Sequence, residues 1–233
     1  AGTVLGTGKF FTIPQSTGNL LDASKTFAVC YAEGNGDTSD NSWRDTYIRL
    51  KITKIATLVA YKLTHRTTGQ IPNHASLKIT YTGSLANNKF VSLVDQTLNS
   101  GYPCGDGDVA AHAAAGQYSG AIQAAASSKI LAVNTGTLDT SKVFAVCYAE
   151  GDGSTGDTSW TETGIRLTVP EVYALKVASG HVGTPDRLMQ SWDQTDGYTI
   201  FERTTNRLPQ VANQLFTYVG DLSDDKWISV VDA

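Results

Sequence analysis

The stretch FAVCYAEGDGSTGDTSW (144–160) has a close copy earlier in the chain, because FAVCYAEGNGDTSDNSW stands 117 positions before it, at 27–43. In the apolar run FAVCYA (144–149), large and small side chains alternate with the period of a β-strand packed on both faces. The Gly, Asp and Ser residues that follow are typical of a hairpin connection. The run IRLTV (165–169) then alternates apolar and polar side chains, which predicts a half-exposed partner strand. Each copy therefore predicts an antiparallel β-hairpin.

The repeat is longer than these two hairpins. Residues 21–52 align without gaps on 138–169. A second pair of segments, 67–95 and 204–232, aligns with an offset of 137. The difference between the two offsets predicts an inserted loop between residues 169 and 204.

Two divisions of the chain into modules fit this repeat. In one, 1–96 and 118–233 are two modules joined by a linker. In the other, 53–169 is a complete module, 1–52 holds the closing strands of one module, and 170–233 holds the opening strands of a further module.

The cysteines favour the division with one complete module. Cys104 and Cys147 then lie in the same module and are predicted to form a disulfide. Cys30 is the repeat equivalent of Cys147, and the corresponding equivalent of Cys104 would precede residue 1. Cys30 is therefore expected to be free or to pair outside this chain.

Other segments also carry strand patterns. The runs at 76–83 and 89–95 alternate in polarity, and Trp227, at the place of Phe90, is predicted to be a core residue of such a strand. The alanine-rich run 108–129 is interrupted by glycines and predicts a loop or one short helix. The sequence is therefore assigned to the all-β class.

The hairpin resembles the last two strands of immunoglobulin-like β-sandwiches, in which a cysteine-bearing strand, a loop and an alternating edge strand close the domain. Two features depart from that pattern. Ala145 replaces the tyrosine two positions before the cysteine. Cys104 follows the strand-like runs at 76–83 and 89–95, whereas an immunoglobulin domain carries its first cysteine on an earlier strand. The resemblance implies tandem immunoglobulin-like modules, with the chain starting and ending inside a module. Half-modules would expose unpaired strand edges, so 1–52 and 170–233 are expected to pair with each other, with neighbouring copies or with flanking sequence.

Acidic side chains crowd the two repeated loops. They are Glu33, Asp37, Asp40, Glu150, Asp152 and Asp157. Oxygen ligands on a glycine-rich loop suit calcium, so a metal site is one interpretation and a solvated turn is the other. The spacing does not follow the EF-hand rule.

Three tryptophans are candidate contacts to a glycan or a partner. Trp43 and Trp160 follow the two loops, and an aromatic face can cover a sugar ring; the alternative is that each is a large core residue. Trp192 lies in the unrepeated insertion, near two aspartates, and is the better candidate for contact with a partner.

Composition narrows the class of function. The net charge of −4 and the lack of a Lys/Arg cluster argue against nucleic acid, and the apolar runs are too short to insert into a membrane. No nucleophile–base pair is recognisable, so the sequence predicts neither an enzyme nor a cofactor, with calcium in the acidic loops as the alternative.

Two interpretations of function remain. The first is a non-enzymatic extracellular structural repeat protein, a segment of a filament, surface appendage or matrix, whose partners are copies of itself or flanking modules of a longer parent chain. The second is a lectin-like module at the cell surface that binds glycan through the repeated acidic loops and tryptophans, with calcium.

Overall fold

The structure is a computed structural model of the 233-residue chain, and it describes residues 3–13, 21–60, 63–177, 187–190, 208, 210 and 212–232. Its internal contacts divide the chain into two units, Ala1–Lys54 and Ile55–Ala233.

The first unit contains a hairpin of two antiparallel strands. They are β1 (Thr26–Tyr31) and β2 (Arg44–Lys51). The side chains of both strands are exposed or half-buried, and none of them belongs to the apolar core clusters found among the described residues. The hairpin therefore forms its backbone ladder without a core of its own.

In the second unit the strands up to residue 168 form two sheets. In chain order they are β3 (Ile55–Ala60), β4 (Leu63–His65), β5 (Thr68–Gln70), β6 (Leu77–Gly83), β7 (Phe90–Asp95), β8 (Ile122–Gln123), β9 (Ile130–Val133), β10 (Phe144–Ala149) and β11 (Thr161–Thr168). Among the described residues, the four-stranded sheet has the order β4-β3-β6-β9 and the five-stranded sheet the order β5-β11-β10-β7-β8. Neighbours pair antiparallel, except that β5 and β11 are parallel.

The two sheets share one apolar core, as the layers of a β-sandwich do. Side chains of β3, β6 and β9 meet those of β7, β10 and β11 in this core. Phe144 and Leu167, on the adjacent strands β10 and β11, are both fully buried. Burying one side chain of this size contributes about 1.5–3 kcal/mol, so these strands anchor the sandwich.

The second face of the five-stranded sheet is covered by the segment that follows β7. Since side chains alternate along a strand, Ala145, Cys147 and Ala149 of β10 face away from the inter-sheet core and form a separate cluster. The covering segment has two short 3₁₀ turns and the four-residue helix α1 (Gly107–Ala110). The alanine-rich run thus contributes one short helix to this cover.

A third sheet follows the sandwich. Its strands are β12 (Val172–Val177), β13 (Arg187–Gln190) and β14 (Phe216–Gly220). They are antiparallel in the order β13-β12-β14, with Val172 paired to Gly220.

The all-β class is confirmed, because strands in several sheets make up almost all of the regular structure described. Among the described residues, no helix has the length and apolarity that crossing a membrane requires.

The prediction that Trp227 is a core residue is wrong. Its side chain is 98% exposed, and residues 227–232 lie in no strand. The equivalent residue Phe90 lies in β7, which pairs with β10, whereas no described strand pairs with 227–232. An alternating pattern forms a strand in this fold only where a neighbouring strand accepts it.

Candidate functional site

The two repeated hairpins have the same backbone register. Cys30 pairs with Asp45 in the first hairpin, and Cys147 pairs with Glu162 in the second. In both hairpins the pairing register shifts just before the cysteine, between Ala28 and Cys30 in β1 and between Ala145 and Cys147 in β10. The repeated sequence therefore specifies the same local structure twice.

In the second hairpin an aspartate and a serine hold the loop in shape. Oδ1 of Asp157 accepts hydrogen bonds from the N–H and Oγ of Ser159, at 2.8 and 2.6 Å. Its Oδ2 accepts from the N–H of Gly153 at 2.8 Å. Ser159 Oγ in turn accepts from the N–H groups of Glu150 and Gly151, at 2.8 and 3.0 Å. One carboxylate and one hydroxyl therefore satisfy four backbone donors of the loop.

The first hairpin has the same set of hydrogen bonds. Asp40 accepts from Ser42 at 2.6 and 2.8 Å and from the N–H of Gly36 at 2.8 Å. Ser42 Oγ accepts from the N–H groups of Glu33 and Gly34, at 2.8 and 2.9 Å. The loop thus keeps its shape whether or not it stands beside a core.

These hydrogen bonds also shift the acidity of the carboxyl groups. Burial opposes ionisation of Asp157, but the hydrogen bonds from Ser159, Gly153 and Gly151 outweigh it and lower its pKa. The pKa of Asp40 is lowered chiefly by the Ser42 hydroxyl. Both groups are ionised acceptors at neutral pH.

The remaining acidic residues of the loops do not complete a metal site. Asp37 and Asp152 accept from Ser39 and Ser154, two positions further on. In the part of the chain that the structure describes, no three His, Cys, Asp or Glu side chains are grouped so as to hold a metal ion. The aspartates act as acceptors for their own loops, and calcium binding is untested.

A signal for this structure lies in the sequence as a recurrent Asp-x-Ser pattern. Among the described residues, six aspartates accept from both the N–H and the Oγ of the serine two positions later. These pairs are Asp22 with Ser24, Asp37 with Ser39, Asp40 with Ser42, Asp139 with Ser141, Asp152 with Ser154 and Asp157 with Ser159. The pattern is typical of Asx turns, and it explains the acidic loops by their conformation.

The two repeated tryptophans make the same hydrogen bond but differ in burial. Nε1 of Trp160 donates to the carbonyl oxygen of Ser154 at 2.9 Å, and Nε1 of Trp43 donates to that of Asp37 at 3.0 Å. Trp160 is 6% exposed and belongs to the cluster on the second face of the five-stranded sheet. This burial favours the core-residue interpretation of Trp160 over a contact with glycan. Trp43 is half-buried, and Trp192 lies outside the described residues.

Cys104 and Cys147 form a disulfide with their Cα atoms 5.3 Å apart. It joins the covering segment to β10 on the face of the five-stranded sheet opposite the inter-sheet core, in one cluster with Trp160. Cys30 is a free, exposed thiol. The division of the cysteines into one pair and one free thiol agrees with the sequence prediction.

Two exposed apolar surfaces complete the set of candidate features. In the first unit, Tyr31 and Ile48 are about half exposed, at 47% and 54%, although their equivalents in the second hairpin are buried. Near the end of the described chain, Val230 and Val231 are 84% and 78% exposed beside Trp227. Sequence reasoning missed this second surface because it assigned 227–232 to a packed strand.

Chemically, the first hairpin and the 227–232 segment offer backbone hydrogen-bonding groups and apolar side chains rather than a reacting centre. Comparisons of the chain with models of protein families, with curated proteins and with solved structures found no match.

Proposed function

We propose that this chain is a non-enzymatic structural repeat protein of an extracellular filament, appendage or matrix. In this proposal it assembles through immunoglobulin-like β-sandwich modules. Its partners are copies of itself or flanking modules of the same type.

Strand order supports the immunoglobulin-like assignment. In the five-stranded sheet β10 lies between β7 and β11, as the cysteine-bearing strand of an immunoglobulin domain lies between the neighbours that precede and follow it in the same sheet. In the other sheet β3, β6 and β9 lie side by side, in the places of the first, second and fifth strands of that fold. The position of the disulfide differs, since it fastens an outer segment and does not join the two sheets.

The third sheet supports a tandem arrangement. Its order β13-β12-β14 repeats the order β4-β3-β6 of the sandwich, and the pair Val172 and Gly220 repeats the pair Ile55 and Gly83. A tyrosine hydroxyl fastens the turn in each case. Tyr81 donates to the carbonyl oxygen five positions on at 2.6 Å, and Tyr218 does the same at 3.1 Å. This repetition supports the proposal that opening strands of a further module follow residue 169.

The observation that carries the proposal is that the same set of strands occurs once in a single range and once divided between the two ends of the chain. The range 53–169 has opening and closing strands around one core, 1–52 has the closing hairpin, and 170–233 has the opening sheet. A series of such modules builds an extended array in which each unit contacts its neighbours. The Cys104–Cys147 disulfide supports an oxidising compartment such as the extracellular space.

Sedimentation velocity of the full chain over a wide concentration range tests this function. We expect species larger than one chain whose share grows with concentration. The Cys30→Ser variant should behave in the same way, which separates non-covalent assembly from dimers joined through the free thiol. A chain that remains a single species at high concentration would contradict the proposal.

A further inference from the structure

The complete sandwich shows how a strand like β1 is covered. There β10 pairs antiparallel with β7 along its whole length, from Phe144 opposite Asp95 to Ala149 opposite Phe90. Cys147 stands opposite Ser92 in the middle of this ladder. All six side chains of β10 are buried in this setting, three in the inter-sheet core and three under the covering segment.

Both partners of this ladder occur a second time, uncovered. Residues 27–32 repeat β10 residue for residue, and 27–31 of them lie in β1, which among the described strands pairs with β2 alone. The segment WISVVD (227–232) repeats FVSLVD of β7, and it is exposed throughout. Two complementary strand edges are therefore present in one chain, each without the neighbour that its equivalent has.

Packing around a loop glycine gives a second, independent indication. In the complete module the ring of Phe90 lies so close to Gly153 that a Cβ at that position would collide with it. At the equivalent Gly36, no described atom lies within 4 Å of the place that a Cβ would take. The space that Phe90 fills beside the second loop is thus open beside the first, and Trp227 is the repeat equivalent of Phe90.

A hydrogen bond made by a lysine gives a third indication. Nζ of Lys89 donates to the carbonyl oxygen of Glu150, which ties the start of β7 to the acidic loop. The equivalent residues are Lys226 and Glu33. A lysine therefore also stands directly before the exposed segment, and the first loop contains the glutamate that is equivalent to the acceptor Glu150.

We propose that residues 227–232 of one copy add to the free edge of β1 in a second copy, antiparallel and in the register of β7 on β10. This places Phe27 opposite Asp232, Cys30 opposite Ser229 and Ala32 opposite Trp227. The indole of Trp227 occupies the space beside Gly36.

The register decides which side chains become buried. Ile228 and Val230 lie on the same face as Val29, and their equivalents Val91 and Leu93 belong to the inter-sheet core of the complete module. Strand addition gives hydrogen-bond partners to the backbone groups of both edges and removes apolar surface from water. Both effects stabilise the contact. Because donor and acceptor surfaces differ, each copy can bind one neighbour at each surface, and the contact propagates head to tail.

This inference rests on the proposed function and adds its docking surface. Disulfide trapping in the full chain tests the register directly. In the variant Ser229→Cys, the new thiol lies opposite Cys30 of the neighbouring copy, at a separation between adjacent strands that a disulfide spans. With glutathione disulfide as oxidant, we expect bonds between chains that join Cys30 to the thiol introduced at position 229. They would be seen as covalent multimers and located by mass spectrometry of non-reduced peptides.

Val230→Cys is the matched control, because its side chain points to the opposite face of the strand and cannot reach Cys30. Equal yields of the bond to Cys30 in the Ser229→Cys and Val230→Cys variants would overturn the register. In Ser229→Cys, a bond to Cys30 found only within single chains would overturn the second copy as occupant.

Trp227→Ala supplies a second readout without any covalent step. Trp227 is 98% exposed in the single chain, so its removal should leave the fold intact and weaken self-association at least tenfold. Leu215→Ala, at a residue that is 74% exposed outside the segment, should leave association unchanged. Self-association that both variants retain in full would contradict this surface while leaving the structural function standing, whereas a wild-type chain that never associates would contradict both.

Discussion

The hairpins β1–β2 and β10–β11 have nearly the same sequence and share the aspartate–serine hydrogen bonds that hold the loop, yet one is exposed and the other is the centre of a core. Cys147 is completely buried and bonded to Cys104, whereas Cys30 is an exposed thiol. The difference arises from the neighbours, because β7, β5 and the covering segment pack against the second hairpin, whereas among the described strands β1 and β2 pair with each other alone. Local sequence is thus sufficient for the turn, the register and the loop, and tertiary contacts decide burial and stability.

A matched pair of phenylalanines gives the largest expected contrast. Phe144→Ala should lower the free energy of unfolding by about 3–5 kcal/mol, since the ring is fully buried between the two sheets. Phe27→Ala, the same change in the half-buried first copy, should lower it by about 1 kcal/mol or less. Denaturant unfolding of dilute protein, followed by circular dichroism, measures both. Equal losses would mean that the two hairpins are equally packed.

Reduction of the disulfide should give the next largest effect. The bond closes a loop with a sequence separation of 43, so its loss should destabilise the sandwich by on the order of 3–4 kcal/mol in the chain-entropy model. The measurement is the denaturant midpoint with and without reductant. Cys30→Ser is the control, because a free thiol adds no cross-link and its replacement should leave the midpoint unchanged. A reductant-insensitive midpoint would contradict the role assigned to the Cys104–Cys147 pair.

The end of β7 provides a smaller, pH-dependent contrast. Burial of Asp95 opposes its ionisation, but hydrogen bonds from Thr97 and Gln117 and the Lys142 ammonium, 3.3 Å away, outweigh it and lower the pKa below its ordinary value of 3.8. A carboxyl group whose pKa falls on folding stabilises the folded state above its unfolded pKa. That stability is lost as the pH falls from about 4 through the folded pKa.

Unfolding midpoints between neutral pH and about pH 2.5 check this sign. Asp95→Asn should lower stability at neutral pH and make the acid-side decline shallower. The repeat equivalent is the exposed Asp232, and Asp232→Asn should leave the profile of the dilute chain unchanged. If the midpoint of Asp95→Asn declined at acid pH as steeply as that of the wild type, the carboxyl group of Asp95 would not contribute to the loss of stability in acid.

Calcium should give the smallest effect. The carboxylate oxygens of Asp40 and Asp157 already accept hydrogen bonds from their own loops, so ion binding would have to displace those donors. We expect the melting temperature in millimolar calcium to equal that in chelator. A rise with calcium concentration would follow the mass-action relation for a bound ligand and would restore the metal interpretation of the loops.

Sequence reasoning was reliable where a pattern describes a local structure. The alternation in 144–149 and the Gly- and Asp-rich loop predict the hairpin, since both depend on contacts within a few residues. The predicted pairing of Cys104 with Cys147, which rested on the division with one complete module, is confirmed as a bond.

The same reasoning failed where the outcome depends on distant partners. Trp227 has the pattern of a core residue, but a strand needs a neighbour to accept its hydrogen bonds, and sequence periodicity does not say whether one is present. The burial of Trp160 likewise depends on the covering segment, which the first hairpin lacks. The candidate docking surface therefore depends on the three-dimensional difference between the two copies, which periodicity does not encode.

Hydrogen exchange on the two copies of FAVCYAEG tests whether β1 has a free strand edge that a second copy covers. The octapeptides 27–34 and 144–151 are identical, so differences in their exchange report structure and association rather than local sequence. In dilute protein we expect slow exchange in 144–149 and fast exchange along the free edge of 27–31, and the latter should become slow as the protein concentration rises. Equal protection of the two copies in dilute protein, or a first copy that stays unprotected at high concentration, would show that β1 is not a free edge that a second copy covers.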